Sequence, residues 1–335
     1  MASILDASLG FGLESTYGTG VTPVRWVEYS LQSMDFKPAR KQSTGYRVGA
    51  RVARSNRRVT VTSEGTGDIS LDVLSKGLGL LWQCLMGAGS STLVSTGVYQ
   101  QVFTLGDTFQ PFTLQAGVPR LNVDGSATID PLTYSGCVVP DFELTGGQDT
   151  LKLKTSVDAQ SVSTATAYAA PSFTTGATPL HFAGASLYTG ALTAPTATTL
   201  ATGATPLANV KSWSVKVDHK PFGDRYLFGG AGKKARPVPG YRSISGKLEV
   251  EYSDTVFRDA FLADTDMSLL ITYTGGALTT GLETFQVVIP DIRLDGQLPS
   301  GGGEIVKMSC GFTGLDGLSA AQPLWLVART SDAAL

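Results

Sequence analysis

Apolar positions in this chain recur mainly at every second residue, in short runs that Gly, Pro, Asn and Asp clusters interrupt before a long helix can form. Val24 to Phe36 alternates imperfectly and predicts a first strand, and Gly67 to Val73 (GDISLDV) alternates cleanly between one apolar and one polar face. Only two stretches change to helical spacing. Leu78, Leu81, Trp82 and Leu85 follow Ser75, a predicted cap, and stop at Gly87 and Gly89; Phe257, Phe261 and Leu262 follow a second predicted cap, Asp254. Further strands are predicted at Val138 to Leu144 (VVPDFEL) and Val288 to Leu294 (VIPDIRL). Each leads through a Gly-rich turn into another alternating run, Leu151 to Val157 and Ile305 to Phe312.

These patterns occur twice in the same order. Gly20 to Pro38 (GVTPVRWVEYSLQSMDFKP) is echoed without a gap by Gly203 to Pro221 (GATPLANVKSWSVKVDHKP), at an offset of 183. GDISLDV is echoed by Gly246 to Tyr252 (GKLEVEY) at offset 179, and VVPDFEL by VIPDIRL at offset 150. Ordered matches with shrinking offsets describe one β-domain duplicated and then trimmed in its loops. The predicted architecture is mainly β: two tandem antiparallel sandwich or half-barrel domains, each with one short helix. Their expected bounds are 20–158 and 203–335. Residues 1–19 are read as an extended amino-terminal arm, and 159–202, rich in Ala, Thr, Ser and Gly, as a linker whose His181 to Leu192 stretch is a candidate opening strand of the second copy.

Composition agrees with this and removes several function classes. The 335 residues suffice for two cores, charged residues are only 16%, and 39 glycines supply turns. A net charge of −2 is less basic than a general nucleic-acid binder requires. Cys84, Cys137 and Cys310 lie far apart, without the spacing of a metal site or a disulfide framework, and read as reduced buried thiols. No secretory signal and no membrane-spanning apolar run is expected.

Charge is concentrated in one place. Lys37, Arg40, Lys41, Arg47, Arg51, Arg54, Arg57 and Arg58 form a run without an acid, expected on a projecting hairpin or loop, either simply solvated or docking onto an acidic neighbour. Catalytic signatures are missing. The two histidines, His181 and His219, adjoin no nucleophile motif, and Gly229 to Lys234 (GGAGKK) lacks the Ser or Thr and the helix of a phosphate loop. Asp141 with Glu143, and Glu249 with Glu251, sit two apart on strands and share a face. A solvated strand face accounts for them better than acid–base chemistry, and acids on several strands would also line a channel. No catalytic, cofactor-binding or metal residue is therefore assigned.

The opening G-x-G-x-E-x-x-Y-G-x-x-x-T-P (Gly10, Gly12, Glu14, Tyr17, Gly18, Thr22, Pro23) resembles the start of phage tail tube proteins, the major tail proteins of long non-contractile tails, and the later order of motifs resembles them too. The resemblance implies a structural virion protein, assembled in the host cytoplasm, whose domains join edge to edge into rings. The rings stack as a hollow tube that passes double-stranded DNA without binding it specifically. It also implies tape measure and tail terminator partners. Two copies per chain close a six-domain ring as a trimer, with six chains per ring as the alternative. A DNA channel calls for an acidic or neutral lining, since a basic one would hold the phosphates; Asp141, Glu143, Glu249, Glu251 and Asp291 are the lumen candidates. Arg47, Arg51, Arg54, Arg57 and Arg58 are the ring-stacking candidates. The competing reading is a β-sandwich binding module, an adhesin or carbohydrate-binding surface protein.

Overall fold

Most of the alternating runs become strands in the computed structural model, which describes residues 4–296, 298–299 and 305–335, but the imperfectly alternating Val24 to Phe36 stretch breaks into short strands at Arg25–Trp26 and Leu31–Gln32 and the start of Asp35–Gln42. The first half of the chain contains β1 (Ser8–Leu13), β2 (Arg25–Trp26), β3 (Leu31–Gln32), β4 (Asp35–Gln42), β5 (Arg58–Asp72), α1 (Gly79–Met86), β6 (Gly87–Ser95), β7 (Val98–Leu105), β8 (Phe112–Leu121), β9 (Ala127–Cys137), β10 (Asp141–Gly146), β11 (Lys152–Ala159) and β12 (Ser161–Ser163). The second half contains β13 (Ala185–Thr193), β14 (Thr202–Leu207), β15 (Val210–Asp218), β16 (Ser243–Glu251), α2 (Val256–Ala263), β17 (Met267–Ala277), β18 (Leu282–Gly296), β19 (Lys307–Leu315) and β20 (Trp325–Thr330). The protein is thus mainly β, with large antiparallel sheets and two α-helices among the described residues. Neither sheet closes into a barrel. The Gly-rich turn expected after Leu294 lies largely outside the described residues.

Strand pairing follows one order in both halves. β4, β5, β11 and β10 are successive neighbours, and so are β15, β16, β19 and the Asp291 to Gly296 end of β18. The two sets meet where β10 pairs with β15, from Asp141 opposite Asp218 to Gly146 opposite Trp213. A continuous sheet therefore runs from β4 to the end of β18. Behind it, β8 is flanked by β1 and β9, as β17 is flanked by β13 and β18. The β6–β7 hairpin has no counterpart between α2 and β17, which is where the sequence offset falls from 179 to 150. Asp35 pairs with Thr66 but Asp218 with Ser243, a slip of two residues from the sequence alignment. An even slip leaves every side chain on its own face.

Two expectations change. The described amino-terminal segment is not an extended arm throughout: Ser8–Leu13 is a paired strand whose Leu9 and Phe11 are buried. Its alternation was hidden because small residues fill the other face. Gly10 and Gly12 allow the segment around Pro23 and Trp26 to cross closely, for a Cβ on Gly10 would stand 2.9 Å from Pro23 Cβ and one on Gly12 2.8 Å from the Thr22 carbonyl oxygen. Glu14, also buried, accepts hydrogen bonds from Thr113 Oγ1 at 2.8 Å and from the amides of Gly18 and Gly136 at 2.8 and 2.9 Å. These residues of the opening motif lock the first strand to its sheet.

The helix caps also differ. Ser75 does not cap α1, its hydroxyl accepting from the Thr178 amide at 3.2 Å, whereas Asp254, one residue before the Thr255 cap position of α2, accepts from the Val256 amide at the start of that helix at 3.0 Å. Helix α1 ends at Gly87, as its spacing predicts, in the left-handed conformation. It is almost wholly buried, with Trp82 stacked on Phe285 at 4.9 Å between ring centres. Burial of each such large side chain contributes roughly 1.5–3 kcal/mol. By contrast Phe257 alone is buried on α2. The three cysteines are free and buried.

Candidate assembly surfaces

Directly opposed residues of an antiparallel pair project from the same face, so the sheet from β4 to β18 can be followed across both halves. Glu143 stands opposite Lys154 on one side and Lys216 on the other; Ser214 faces Lys247, Glu249 faces Ser309, Glu251 faces Lys307, and Arg293 faces Thr313. Asp141 and Asp291, two residues from Glu143 and Arg293, share that face. The structure thus brings together all five lumen candidates on one polar surface. The alternate positions, among them Phe142, Leu144, Val215, Val217, Leu248, Val250, Ile292 and Leu294, are buried in the core.

This surface is more mixed than the acids suggested. Lys152, Lys154, Lys216, Lys247, Lys307 and Arg293 interleave with the carboxylates, and Asp68, Asp72, Asp218 and Asp295 add to them. Many carboxylates are tied locally. Asp141 accepts from Ser156 Oγ at 2.6 Å and lies 3.9 Å from Lys216 Nζ, Glu249 accepts from Ser212 Oγ at 3.2 Å, and Glu251 is ion-paired with Lys211. Arg293 bridges Asp264 and Asp266, each at 2.8 Å. Asp291 differs: its Oδ2 is buried without a hydrogen-bond partner among the described residues. Burial, and then the nearby Asp266 and Asp316, push its carboxyl above the usual range.

The basic run lies where β4 and β5 extend past the body of the sheet, around the turn between them. Arg47, Arg51, Arg54, Arg57 and Arg58 are all exposed, and none is in an ion pair among the described residues. Tyr46, Val48 and Val52 between them are exposed as well.

The matching connection in the second half, between β15 and β16, lies flat instead. Lys234 Nζ is buried against Asp158 Oδ1 and Oδ2 at 2.9 and 3.0 Å and Glu64 Oε2 at 2.7 Å, while Arg236 and Arg242 donate to the carbonyl oxygens of Phe109 and Gly106. His219 Nε2 meets the Leu85 carbonyl oxygen at the end of α1, and its ring lies edge-on to Phe109. Lys234 and His219 join the two halves. The GGAGKK and D-H-K-P stretches that contain them offered no sign of this, because their partners are 76 to 170 residues away in sequence.

Among the described residues no His, Cys, Asp and Glu cluster has the geometry of a metal site, and no helix is long and apolar enough to cross a membrane. A family model described as phage tail tube protein matches residues 5–314, nearly the whole chain. No curated protein matches it. The match places the chain in the phage tail tube protein family.

Proposed function

We propose that this phage tail tube family member is the repeating subunit of a long non-contractile tail, assembling into rings that stack into a hollow tube for the passage of double-stranded DNA. Its role in the tail is structural, without catalysis or cofactor. The observation that carries this reading is the sheet from β4 to β18: one face polar and mixed in charge, the other buried, and the same four-strand order repeated along it. An open sheet of this size exposes strand edges, and ring closure is the means of removing them. With two tube-type units per chain, 20–158 and 203–335, three chains supply six units.

In this arrangement the polar face lines the channel. Asp141, Glu143, Glu249, Glu251 and Asp291 with their neighbouring lysines present DNA with a surface that offers no continuous basic track, so few counterions are released and the duplex slides. The exposed arm carrying Arg47, Arg51, Arg54, Arg57 and Arg58 reaches along the tube axis to the next ring. Ring-on-ring contact is head-to-tail and does not close, and so gives a filament. A tape measure protein inside and a terminator at the end are the partners such a tube needs. Negative-stain microscopy of the purified protein tests the proposal: hollow rings or tubes are expected, and a monodisperse monomer at high concentration refutes it.

A further inference from the structure

The two helices sit in matching places, yet α1 is buried and α2 is not. On α2, Leu262 is 63% and Val256 43% exposed. The cause of the difference is visible within the chain. The second half packs against α1, with Phe285 stacked on Trp82 and His219 bonded to the carbonyl of Leu85, whereas α2 has no third unit to cover it. The strands tell the same story. β10 has β11 on one side and β15 on the other, but its counterpart, the end of β18, has β19 on one side only. Beyond Met267, which pairs with Ile292, no described strand runs along the other side of Arg293 to Gly296. At the opposite end of the sheet, β3 and β4 pair, among the described residues, with β5 alone. Half-buried Met34 and Phe36 stand there at the positions that Val217 and His219, both buried, occupy in the second half.

We propose that the β10–β15 junction inside the chain is the template for the contact between chains: the free end of β18 and the exposed face of α2 receive the β3–β4 strand of a second copy. This rests on the ring assembly proposed above, and it names the edge, the register and the polarity. Carried over by the shared P-D-[FI] and D-x-K-P motifs and applied to the free edge beyond Met267, the internal pairing of Glu143 with Lys216 becomes Arg293 with Ser33 of the second copy, and Thr145 with Ser214 becomes Asp295 with Leu31. Ile292 keeps its own pairing with Met267, so the new pairing starts at Arg293, and Phe36 is carried towards the carboxyl end of α2 as His219 reaches that of α1. Because the two edges differ, the contact is head-to-tail around the ring.

Paired cysteines test it. Directly opposed residues of antiparallel strands have Cα atoms about 4.5–5.5 Å apart, within the range a disulfide spans. The natural cysteines are buried and do not compete. An L31C chain mixed with a D295C chain is expected to give an oxidised dimer on a denaturing gel. A chain carrying both changes should shift to cross-linked dimer and trimer, and V123C mixed with D295C should stay monomeric. L262D should leave the monomer's melting cooperative but lower its assembly at least tenfold. Wild-type rings without the 31–295 cross-link, or equal cross-linking at 123, overturn this junction while leaving the tube intact. Absence of any wild-type oligomer overturns the tube and the junction together.

Discussion

His219 Nε2 lies 2.9 Å from the carbonyl oxygen of Leu85, so the ring donates a hydrogen bond to the last turn of α1. Its Nδ1 is buried and unpartnered. The link ties the strand that opens the second sheet repeat to the helix of the first. A protonated ring would place a charge where only one carbonyl accepts from it.

Burial, supplemented by Arg242 and opposed by the Leu85 carbonyl, Asp218 and Asp141, lowers the His219 pKa from 6.5 to about 4. The unfolded chain therefore takes up this proton before the folded one. The stability contributed by the neutral ring is full above pH 6.5 and is lost as pH falls towards 4, with about 2 kcal/mol gone by pH 5. His219→Phe, which installs the residue found at the corresponding Phe36, removes the titration at the cost of one hydrogen bond, about 1 kcal/mol. Chemical denaturation at pH 8 and pH 5 should show the variant less stable at the first and equal or more stable at the second. Parallel losses in both proteins would show that His219 is not the group responsible.

Lys234 anchors the connection between β15 and β16 on the first half. Lys234→Met leaves Asp158 buried with its cation gone, which is expected to cost about 3 kcal/mol. Burial already pushes the Asp158 carboxyl up, against the pull of Lys234. Adding Asp158→Asn removes the stranded charge and should recover more than half of that loss. Limited proteolysis between residues 220 and 242 should accelerate in the single variant and slow again in the double. A single variant as resistant as wild type would show that the ion pair does not hold the connection down.

How far the sequence could be read follows from the range of each interaction. Period-two alternation at Ile69, Leu71 and Val73, and at Phe142 and Leu144, reports a local requirement, one buried face, and predicts strands where they occur. The turn at Gly87 is similarly local. Ser8–Leu13 escaped notice because its Gly10 and Gly12 positions satisfy a chain crossing that only the folded sheet creates. The five candidate acids could be placed on strands but not on a common face, since that depends on registers between strands up to 150 residues apart. The lysines opposite Glu143 and Glu251 went unremarked for the same reason. His219 and Lys234 were invisible as joints because each is defined by its distant partner.

The β4–β5 arm yields a prediction that separates ring formation from stacking. Reversing Arg47, Arg51 and Arg54 to Glu changes three exposed side chains that contact no core residue, so stability should change by less than about 0.5 kcal/mol. Rings should persist in micrographs while tubes disappear. Raising salt on the wild-type protein should shorten tubes in the same direction, because contacts between exposed charges are screened within about 10 Å at 0.1 M. Wild-type tube lengths from the triple variant would remove the arm from the stacking contact.

If the polar face lines the channel as proposed, it makes the opposite demand, for there the charge must not attract the DNA. Glu143, Glu249 and Asp291 lie on one surface, where Lys154 and Lys216 stand opposite Glu143 and Lys247 and Lys307 occupy neighbouring positions, so replacing all three by Lys joins separate basic residues into a track. Glu143→Lys and Glu249→Lys alter partly or fully exposed positions and should leave assembly intact; Asp291→Lys, at the proposed junction, is the one to omit if rings fail. Every phosphate neutralised by such a track adds about 0.9 to the slope of log affinity against log salt. In the proposed ring the effect repeats at every layer. Virions carrying the substituted tube should therefore eject DNA more slowly at low salt and approach the wild-type rate as salt rises. Ejection at the wild-type rate in low salt, from tubes that carry the lysines, would show that this face does not meet the DNA.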